Sequence, residues 1–244
     1  VILTPARARL TSPDDPAAQA PVSVASASSL SVTLLYETGA TQDLTGDSRA
    51  RITVDEASAD CAVMSSAFVV AIRAGASCSE ISVSVATTGF GQFATVTIPV
   101  VYLDYTYNRA TPFPVYGGST SLVKTTLLKV DCTGYYQHAV AVAIAVLTDG
   151  DQIAVTSRAT FASTDPAVVG IAGTEVEGNA PGVANVTSLW AGVTSRAYEV
   201  TVSDEEALIT GMELSFTALN GITFYGERYS TKDVRVRIDF SDTT

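Results

Sequence analysis

Apolar side chains recur at every second position through much of this sequence, and this alternation constrains the fold more than any other feature. Two clear examples are Val96-Thr-Ile-Pro-Val100 and Val234-Arg-Val-Arg-Ile238. A β-strand directs successive side chains to opposite faces, so this spacing gives each strand one apolar face. The alternating runs lie at residues 50–54, 81–85, 96–100, 140–146, 159–161 and 234–240. No segment keeps an apolar stripe at helical spacing for three turns, and the sequence therefore predicts an all-β chain.

Charge and composition exclude several classes of protein. With 14 Lys and Arg against 25 Asp and Glu, a net charge of −11 argues against a nucleic-acid partner. A single histidine excludes sites that need two imidazoles, including those of most zinc enzymes. The most apolar stretch, Ala139 to Leu147, is shorter than the roughly 20 residues that a membrane span requires, so no membrane insertion is expected. Only 16% of residues are charged, and a surface covered instead by Ser and Thr is typical of secreted β-rich modules.

A repeat divides the chain. In each copy of the repeat a glycine is followed by an alternating strand and then by an aspartate. The three copies are Gly39 to Asp55, Gly150 to Asp165 and Gly226 to Asp242, with separations of 16, 15 and 16 residues. The glycine suits a turn that needs a positive φ. In the first two copies a further strand, a glycine turn, a hairpin and a closing strand follow, whereas the third copy stops at Thr244. The sequence therefore predicts two complete modules and the front part of a third.

Four motifs in the second module carry a resemblance to a known family. They are Ser163-Thr-Asp-Pro-Ala-Val-Val169, the turn Val176 to Gly178, Ala180-Pro-Gly-Val-Ala-Asn-Val186, and the closing strand Tyr198 to Val202. These residues resemble the bacterial immunoglobulin-like group 2 module, which occurs in invasin- and intimin-type adhesins and in some eukaryotic surface and lumenal glycoproteins. The first module departs from this pattern at Asp55 to Cys61, where the Ser-Asp-Pro turn is missing. The resemblance covers residues 28–104 and 126–203, and it implies tandem immunoglobulin-like β-sandwiches with a spacing role.

The resulting domain organisation has five parts. They are a linker or the end of a preceding module at residues 1–27, module 1 at 28–104, an aromatic and proline-rich junction at 105–125, module 2 at 126–203 and a partial third module at 207–244. The junction is too aromatic for a flexible tether. We expect it to pack against the sandwiches and to stiffen the junction between them, for example as an added edge strand.

The three cysteines allow one disulfide within module 1. Cys61 and Cys78 are 17 residues apart, and a bond between them would form in an oxidising compartment. The alternative is two unpaired residues. Cys132 is either free or paired with a part of the molecule outside this sequence.

Other polar residues give weak signals for chemistry. Asp149 and Asp151 could hold calcium, but two carboxylates are too few and a hairpin turn explains them better. The acidic run Asp204 to Glu206 is an equally weak calcium candidate. His138 lacks the Gly-x-Ser-x-Gly elbow of a hydrolase, so we interpret it as a residue of a surface turn. The sequence predicts no catalytic residue, no cofactor and no metal site, and it predicts that Trp190 belongs to the core.

Modification and partner contact are the remaining candidate roles. Asn185-Val-Thr187 is the one N-glycosylation sequon, and strand alternation predicts that the side chain of Asn185 faces solvent. In a eukaryotic secretory protein it would carry a glycan, and in a bacterial protein the match would be chance. Tyr105, Tyr107 and Tyr116 in the junction are candidates for partner contact, because a loop can expose their rings.

These observations favour an extracellular or cell-surface structural and adhesive protein that is not an enzyme. The chain would be a fragment of a multi-module glycoprotein array that forms a filament, a stalk or a surface layer, with other subunits, further modules of the same chain or glycans as partners. The alternative is an accessory carbohydrate-binding or spacer region of a secreted enzyme.

Overall fold

The computed structural model describes residues 1–112, 125–131, 133–216 and 234–240. These residues form β-strands and three short 3-10 helices, and no α-helix occurs among them. The helices are η1 (Pro16–Ala18), η2 (Glu56–Ser58) and η3 (Thr156–Arg158). The predicted all-β class is confirmed. No helix in the described part of the chain is long and apolar enough to span a membrane.

The chain forms two compact units. Unit 1 comprises residues 1–108, 143–160 and 188–196, and unit 2 comprises residues 109–142, 161–187 and 197–244. Each unit therefore combines segments that are distant in the sequence.

Unit 1 contains a complete β-sandwich. Its strands are β1 (Ile2–Pro5), β2 (Ala27–Leu35), β3 (Thr41–Asp43), β4 (Ala50–Val54), β5 (Ala62–Ser66), β6 (Val69–Ile72), β7 (Glu80–Thr87) and β8 (Gln92–Pro99). One sheet has the order β1-β2-β6-β5, with β3 paired to β2, and the other has the order β4-β7-β8. Apart from the short β3, four strands in this order face three, which is the arrangement of an immunoglobulin constant-type domain.

The main core of unit 1 lies between these two sheets. Leu30 and Val32 enter it from β2, and Ile81, Val83 and Val85 enter it from β7, all less than 2% exposed. The alternation of β7 thus places its apolar row where the sequence predicted it. The buried rows of both sheets share one cluster because each sheet has a single apolar face.

Residues 1–27, which the sequence presents as a linker or the end of another module, contribute to this sandwich. β1 pairs antiparallel with β2, with Ile2 opposite Thr33, and Leu3 and Leu10 are buried. Further along, Asp15 caps η1 by accepting a hydrogen bond from the amide of Ala17. A four-residue strand is too short to display the alternation that marks the longer strands, so its role is decided by tertiary pairing.

Unit 2 contains a second sandwich. Its strands include β10 (Thr126–Val130), β13 (Thr160–Ser163), β14 (Val169–Ala172), β15 (Glu175–Gly178), β16 (Gly182–Trp190) and β18 (Tyr198–Ala207), and the first half of β11 (His138–Leu147). One sheet has the order β10-β18-β16-β13, with β10 parallel to β18, and the other joins β11, β15 and β14. This division of strands is again that of an immunoglobulin-like sandwich. The chain is therefore built from tandem immunoglobulin-like modules.

The core of unit 2 has an unexpected inner face. In the first half of β11 the buried residues are Ala139 and Ala141, whereas Val140 and Val142 are only half-buried. Larger residues from the facing sheet, including Leu127 and Val200, fill the space that the alanines leave.

The remaining strands complete the described chain. They are β9 (Leu103–Pro112), which pairs with β11, then β12 (Gln152–Ala154), β17 (Val193–Thr194), β19 (Ile209–Phe216) and β20 (Val234–Phe240). β19 and β20 form an antiparallel pair at the position of the predicted third module, whose residues Gly226 and Asp242 lie outside the described residues. The two other repeat glycines, Gly39 and Gly150, have the predicted positive φ, at 82° and 89°.

Candidate functional site

A second, smaller core of unit 1 is assembled from three separate stretches of the chain. Ala17, Val101 and Leu147 are at most 3% exposed, and Val22, Val24, Leu103 and Ile153 pack against them. We call these seven residues the small core. Because η1, the start of β9, the end of β11 and β12 each contribute to it, burial of apolar surface holds these elements together.

Hydrogen bonds surround the small core and connect the same stretches. The carboxylate of Asp15 accepts a bond from the amide of Leu103 at 3.0 Å. The amide of Tyr102 donates to Oγ1 of Thr148 at 3.1 Å, and the amide of Thr148 donates back to the carbonyl of Tyr102 at 3.0 Å. These bonds satisfy backbone groups at the edge of the small core.

Trp190 adds a further link within unit 1. Its indole Nε1 donates a 3.1 Å hydrogen bond to the carbonyl oxygen of Ala20. The side chain is 3% exposed, in phase with Ala184, Val186 and Ser188, so the prediction that Trp190 is a core residue is confirmed. A buried indole needs a partner for its N–H, and the N-terminal segment supplies it.

Arg9 pairs with the carboxylates of Asp149 and Asp151, which the sequence suggested as a weak calcium site. Its guanidinium forms ion pairs with both Asp149 and Asp151. The amide of Asp151 also donates to the carboxylate of Asp149 at 3.1 Å across Gly150, which is the geometry of a hairpin turn. Burial lowers the pKa of Arg9, but the hydrogen bonds that it donates to Asp151 and Asp149 and their negative charges outweigh this effect, so the pKa is raised. These two aspartates therefore serve a turn and an ion pair.

A buried polar network lies beside this region, between β9 and the end of β16. Asn108 Nδ2 donates to Ser195 Oγ at 2.6 Å, and Ser188 Oγ donates to Asn108 Oδ1 at 2.6 Å. The amide of Ser188 donates to Ser195 Oγ, which donates in turn to the carbonyl of Arg196. Such a network is strongly favourable only when every member is satisfied, so it selects one register of these segments.

The junction tyrosines lie on a strand instead of a loop. Tyr105 and Tyr107 share the outer face of β9, with their ring centroids 6.2 Å apart. The guanidinium of Arg196 stacks 4.2 Å from the ring centre of Tyr105, and the hydroxyl of Tyr107 donates to Gln152 at 3.0 Å. Both rings are half-buried, so these contacts use part of the surface that the sequence assigned to a partner. Tyr116 lies outside the described residues.

The structure joins Cys61 and Cys78 in a disulfide, with their Cα atoms 6.2 Å apart. Both residues are half-buried against the main core of unit 1. Cys132 lies outside the described residues. The bond connects the start of β5 to the loop before β7, and these two strands belong to opposite sheets of the sandwich.

Asn185, the residue of the sequon, lies in the middle of β16. It is half-buried between the fully buried Ala184 and Val186, and its Cα partner across the strand pair is Glu199. Its side chain consequently points to the outer face of the sheet, as alternation requires.

His138 begins strand β11 and does not lie in the surface turn that the sequence suggested. Its Nδ1 lies 2.7 Å from Oε1 of Glu175, and Glu177 lies nearby. Among the described residues, these three form the one group of convergent His, Cys, Asp or Glu side chains with the spacing of metal ligands. The run Asp204 to Glu206 lies within β18 and is exposed, and Asp204 accepts a 2.7 Å hydrogen bond from the hydroxyl of Tyr136.

Sequence reasoning missed Arg9, Asn108, Ser188 and Ser195. A signal for Asn108 was present, because it shares the phase of Thr106 and Ala110 on the buried face of β9. An amide in a buried row requires partners, and this requirement could have marked the position. No local signal pointed to Arg9, whose partners are 140 and 142 residues away.

Of the known proteins compared with this chain, only solved structures are similar to it. No protein-family model and no curated protein matches the chain. A structure of domains 4–9 of the surface layer protein SbsC is similar at 14% identity and a TM-score of 0.46, over 88% of this chain and 31% of that one. A C-terminal fragment of intimin, in complex with the intimin-binding domain of its translocated receptor, is similar at 9% identity and 0.31, over 89% and 66%. Human protocadherin-24 EC1-2 is similar at 6% identity and 0.29, over 68% and 86%.

Proposed function

We propose that this chain is part of an extracellular structural or adhesive protein, in which tandem immunoglobulin-like sandwiches form an array that serves as a filament, a stalk or a surface layer. The observation that carries the proposal is the small core of unit 1. It binds together stretches of chain near residues 17–24, 101–103 and 147–153. A protein with a spacing or load-bearing role needs such ties, because segments that are fixed at several points cannot separate one at a time.

The parallel pairing of β10 and β18 in unit 2 supports a load-bearing role. The chain enters this pair at Thr126 and leaves it at Ala207, and the strands run in the same direction. Tension applied to these two ends loads the hydrogen bonds between the strands in shear, so that they resist together. Tension across two directly opposite residues of an antiparallel pair, such as Gly182 and Val202, would break its bonds in succession.

Force spectroscopy with cysteine handles tests this mechanical role. Handles at residues 126 and 207 load the parallel pair in shear, and handles at residues 182 and 202 load the antiparallel pair by peeling. We expect a clearly higher rupture force for the first geometry in the same full chain. Equal rupture forces would contradict a mechanical function.

Location is tested separately, by labelling intact cells of the source organism with antibodies raised against the full chain. We expect labelling without permeabilisation and its loss after brief protease treatment of the cell surface. Labelling that needs permeabilisation would contradict an extracellular role. Electron microscopy of the labelled material then distinguishes a filament, a stalk and a surface layer.

The module boundaries and the glycan belong to the same proposal. We place module 1 at residues 28–104, with β1 from the preceding residues added to its sheet, module 2 at 126–203 and a partial third module at 207–244. Asn185 is proposed to carry a glycan if the protein passes through a eukaryotic secretory pathway, since its side chain faces outward on β16. A mass loss on treatment with peptide-N-glycosidase, absent from N185Q, tests the site.

A glycan-array experiment tests the carbohydrate-binding alternative. Arg196 covers one face of the Tyr105 ring, and the hydroxyl of Tyr107 is bonded to Gln152, so part of the surface on which a sugar ring would stack is already in use. We therefore expect no glycan binding that depends on Tyr105 or Tyr107. Specific binding by the full chain that is lost in the corresponding alanine variants would favour the alternative.

A further inference from the structure

Three side chains from two neighbouring strands of unit 2 converge on one face of their sheet. Antiparallel register places His138 of β11 opposite Glu177 of β15, and Glu175 lies two pairs further along, opposite Val140. The intervening pair, Ala139 and Val176, is fully buried. His138, Glu175 and Glu177 therefore share the outer face, as strand alternation requires.

The distances between their polar atoms suit a metal ion. One ligand atom from each of the three residues lies within 4.8 Å of the others, and His138 Nδ1 is 2.7 Å from Glu175 Oε1. Bonds of about 2.0–2.2 Å in a tetrahedral zinc site separate neighbouring ligand atoms by about 3.3 Å. Each atom needs to move by roughly 1–1.5 Å at most to meet this geometry, which rotation about glutamate side-chain torsions provides.

Charge and donor type indicate which ion would bind. Two carboxylates on one strand face repel each other, and a single imidazole can offset at most one of them. A divalent cation offsets both. An imidazole nitrogen with two carboxylate oxygens suits Zn²⁺ or a similar transition metal, whereas Ca²⁺ and Mg²⁺ prefer oxygen ligands throughout. The side chains of His138 and Glu175 are 39% and 31% exposed, which leaves a path for the ion and room for a water ligand.

We propose that His138, Glu175 and Glu177 bind a divalent transition-metal ion, with Zn²⁺ as the best fit, and that the ion clips β11 to β15. The ligands come from separate strands, so the site exists only when the two strands pair in the observed register. An ion that binds the folded state alone stabilises it by mass action. The proposal is independent of the mechanical function, since it concerns a ligand of unit 2.

Zinc titration of the untagged full chain tests the site, in a Cys132→Ser background that removes the thiol outside the disulfide. The chain has a single histidine, so the imidazole signals in a proton NMR spectrum report on His138 alone. We expect ZnCl₂ to shift these signals and to bind one-to-one in isothermal titration calorimetry. His138→Gln and Glu177→Gln should each weaken binding by at least tenfold, because losing even an outer-shell partner costs about 10–100-fold. Glu199→Gln, an exposed residue of β18, serves as the matched control and should bind like the parent.

Circular dichroism on each variant first establishes that it is folded, and E175Q replaces any variant that is not. Zinc should raise the melting temperature of the parent chain and of E199Q, with no such rise in H138Q or E177Q. Imidazole signals that stay unshifted at saturating zinc would overturn the proposal. Undiminished affinity in the folded ligand variants, or displacement of zinc by an equal concentration of CaCl₂, would overturn it as well.

Discussion

The indole Nε1 of Trp190 donates a hydrogen bond to the carbonyl oxygen of Ala20, which lies 170 residues earlier in the chain. This bond joins the end of β16 to the segment that follows η1, and both belong to unit 1. It shows that the N-terminal residues are a structural part of the unit. The small core and the Arg9 ion pairs fix the same segment at other points.

Trp190→Phe removes the N–H donor and part of the buried ring while it keeps an aromatic side chain. We expect the free energy of unfolding to fall by about 1–2 kcal/mol, from the lost hydrogen bond and the reduced burial. Urea denaturation followed by far-UV circular dichroism measures the change. Leu189→Ala, at a neighbouring position that is 48% exposed, should cost less than about 0.5–1 kcal/mol. Equal effects of the two substitutions would show that the indole bond contributes nothing.

Asn108→Leu should destabilise unit 1 by about 2–4 kcal/mol, because it leaves the buried hydroxyls of Ser188 and Ser195 without their side-chain partner. The double variant N108L/S188A removes the hydroxyl of Ser188, whose side-chain acceptor is lost in N108L, while Ser195 keeps its bonds to the Ser188 amide and the Arg196 carbonyl. It should therefore recover part of the loss, and thermal or urea unfolding of both variants gives the comparison. A double variant less stable than N108L by the full cost of S188A alone would show that Asn108 and Ser188 act independently.

Reduction of the Cys61–Cys78 bond should lower the free energy of unfolding by about 3 kcal/mol, as expected for a closed loop of this length. Urea denaturation with and without dithiothreitol measures the effect. C61S/C78S should be insensitive to the reductant, and C132S should respond like the parent chain. Peptide mass spectrometry under non-reducing conditions identifies the linkage directly, and two free thiols at these positions would contradict it.

Stability should fall at high pH because of Tyr198. Burial raises the pKa of its phenol to about 12, although a backbone hydrogen bond with Ala110 lowers it. An unfolded tyrosine has a pKa of about 10, so the folded state holds the proton more tightly. This stabilisation is complete below pH 10 and is lost as the pH rises through 12. Partial exposure of the ring weakens the effect, and we expect a loss of about 1–2 kcal/mol.

Tyr198→Phe should reduce this decline in the free energy of unfolding between pH 10 and 12, as measured by urea denaturation at each pH. Tyr135→Phe is the control, because that ring is 76% exposed and its removal should leave the slope unchanged. The comparison concerns the slope with pH and not the stability at neutral pH. An identical slope in both variants would contradict the assignment to Tyr198.

Arg9→Gln should cost less than about 1 kcal/mol, since its ion pairs with Asp149 and Asp151 are partly exposed to solvent. The loss should shrink in 1 M NaCl, where screening weakens charges near the surface. Thermal unfolding at low and high salt measures both values, with Arg51→Gln as a control at an exposed position of β4. A loss that does not depend on salt would show that Arg9 acts through packing.

Strand alternation predicted the fold class and the buried face of several strands, but it did not identify the buried face of every strand. In β7 polar serines separate the apolar residues, so Ile81, Val83 and Val85 could be assigned to the core. In β11 alanine alternates with valine and neither face is polar. The larger residues at 140, 142, 144 and 146 suggested one buried row. In the first half of the strand the alanines at 139 and 141 are buried instead, and from Ala143 to Leu147 every residue is buried. Steric fit with the facing sheet decided the phase there, and fit cannot be read from one strand.

The candidate sites also fall into two groups: those set by a single strand and those set by pairing between strands. The positions of Asn185 and Trp190 follow from their own strand, because an outward asparagine and an inward tryptophan need only the local period of two. The His138, Glu175 and Glu177 cluster needs the register between β11 and β15, and the Asn108 network needs three segments to meet. The sequence by itself determined which side chains face inward along the longer strands, since this depends on local backbone geometry. Tertiary structure decided which strands pair, in what register, and where residues 1–27 belong, because these depend on burial and hydrogen bonding summed over the whole fold.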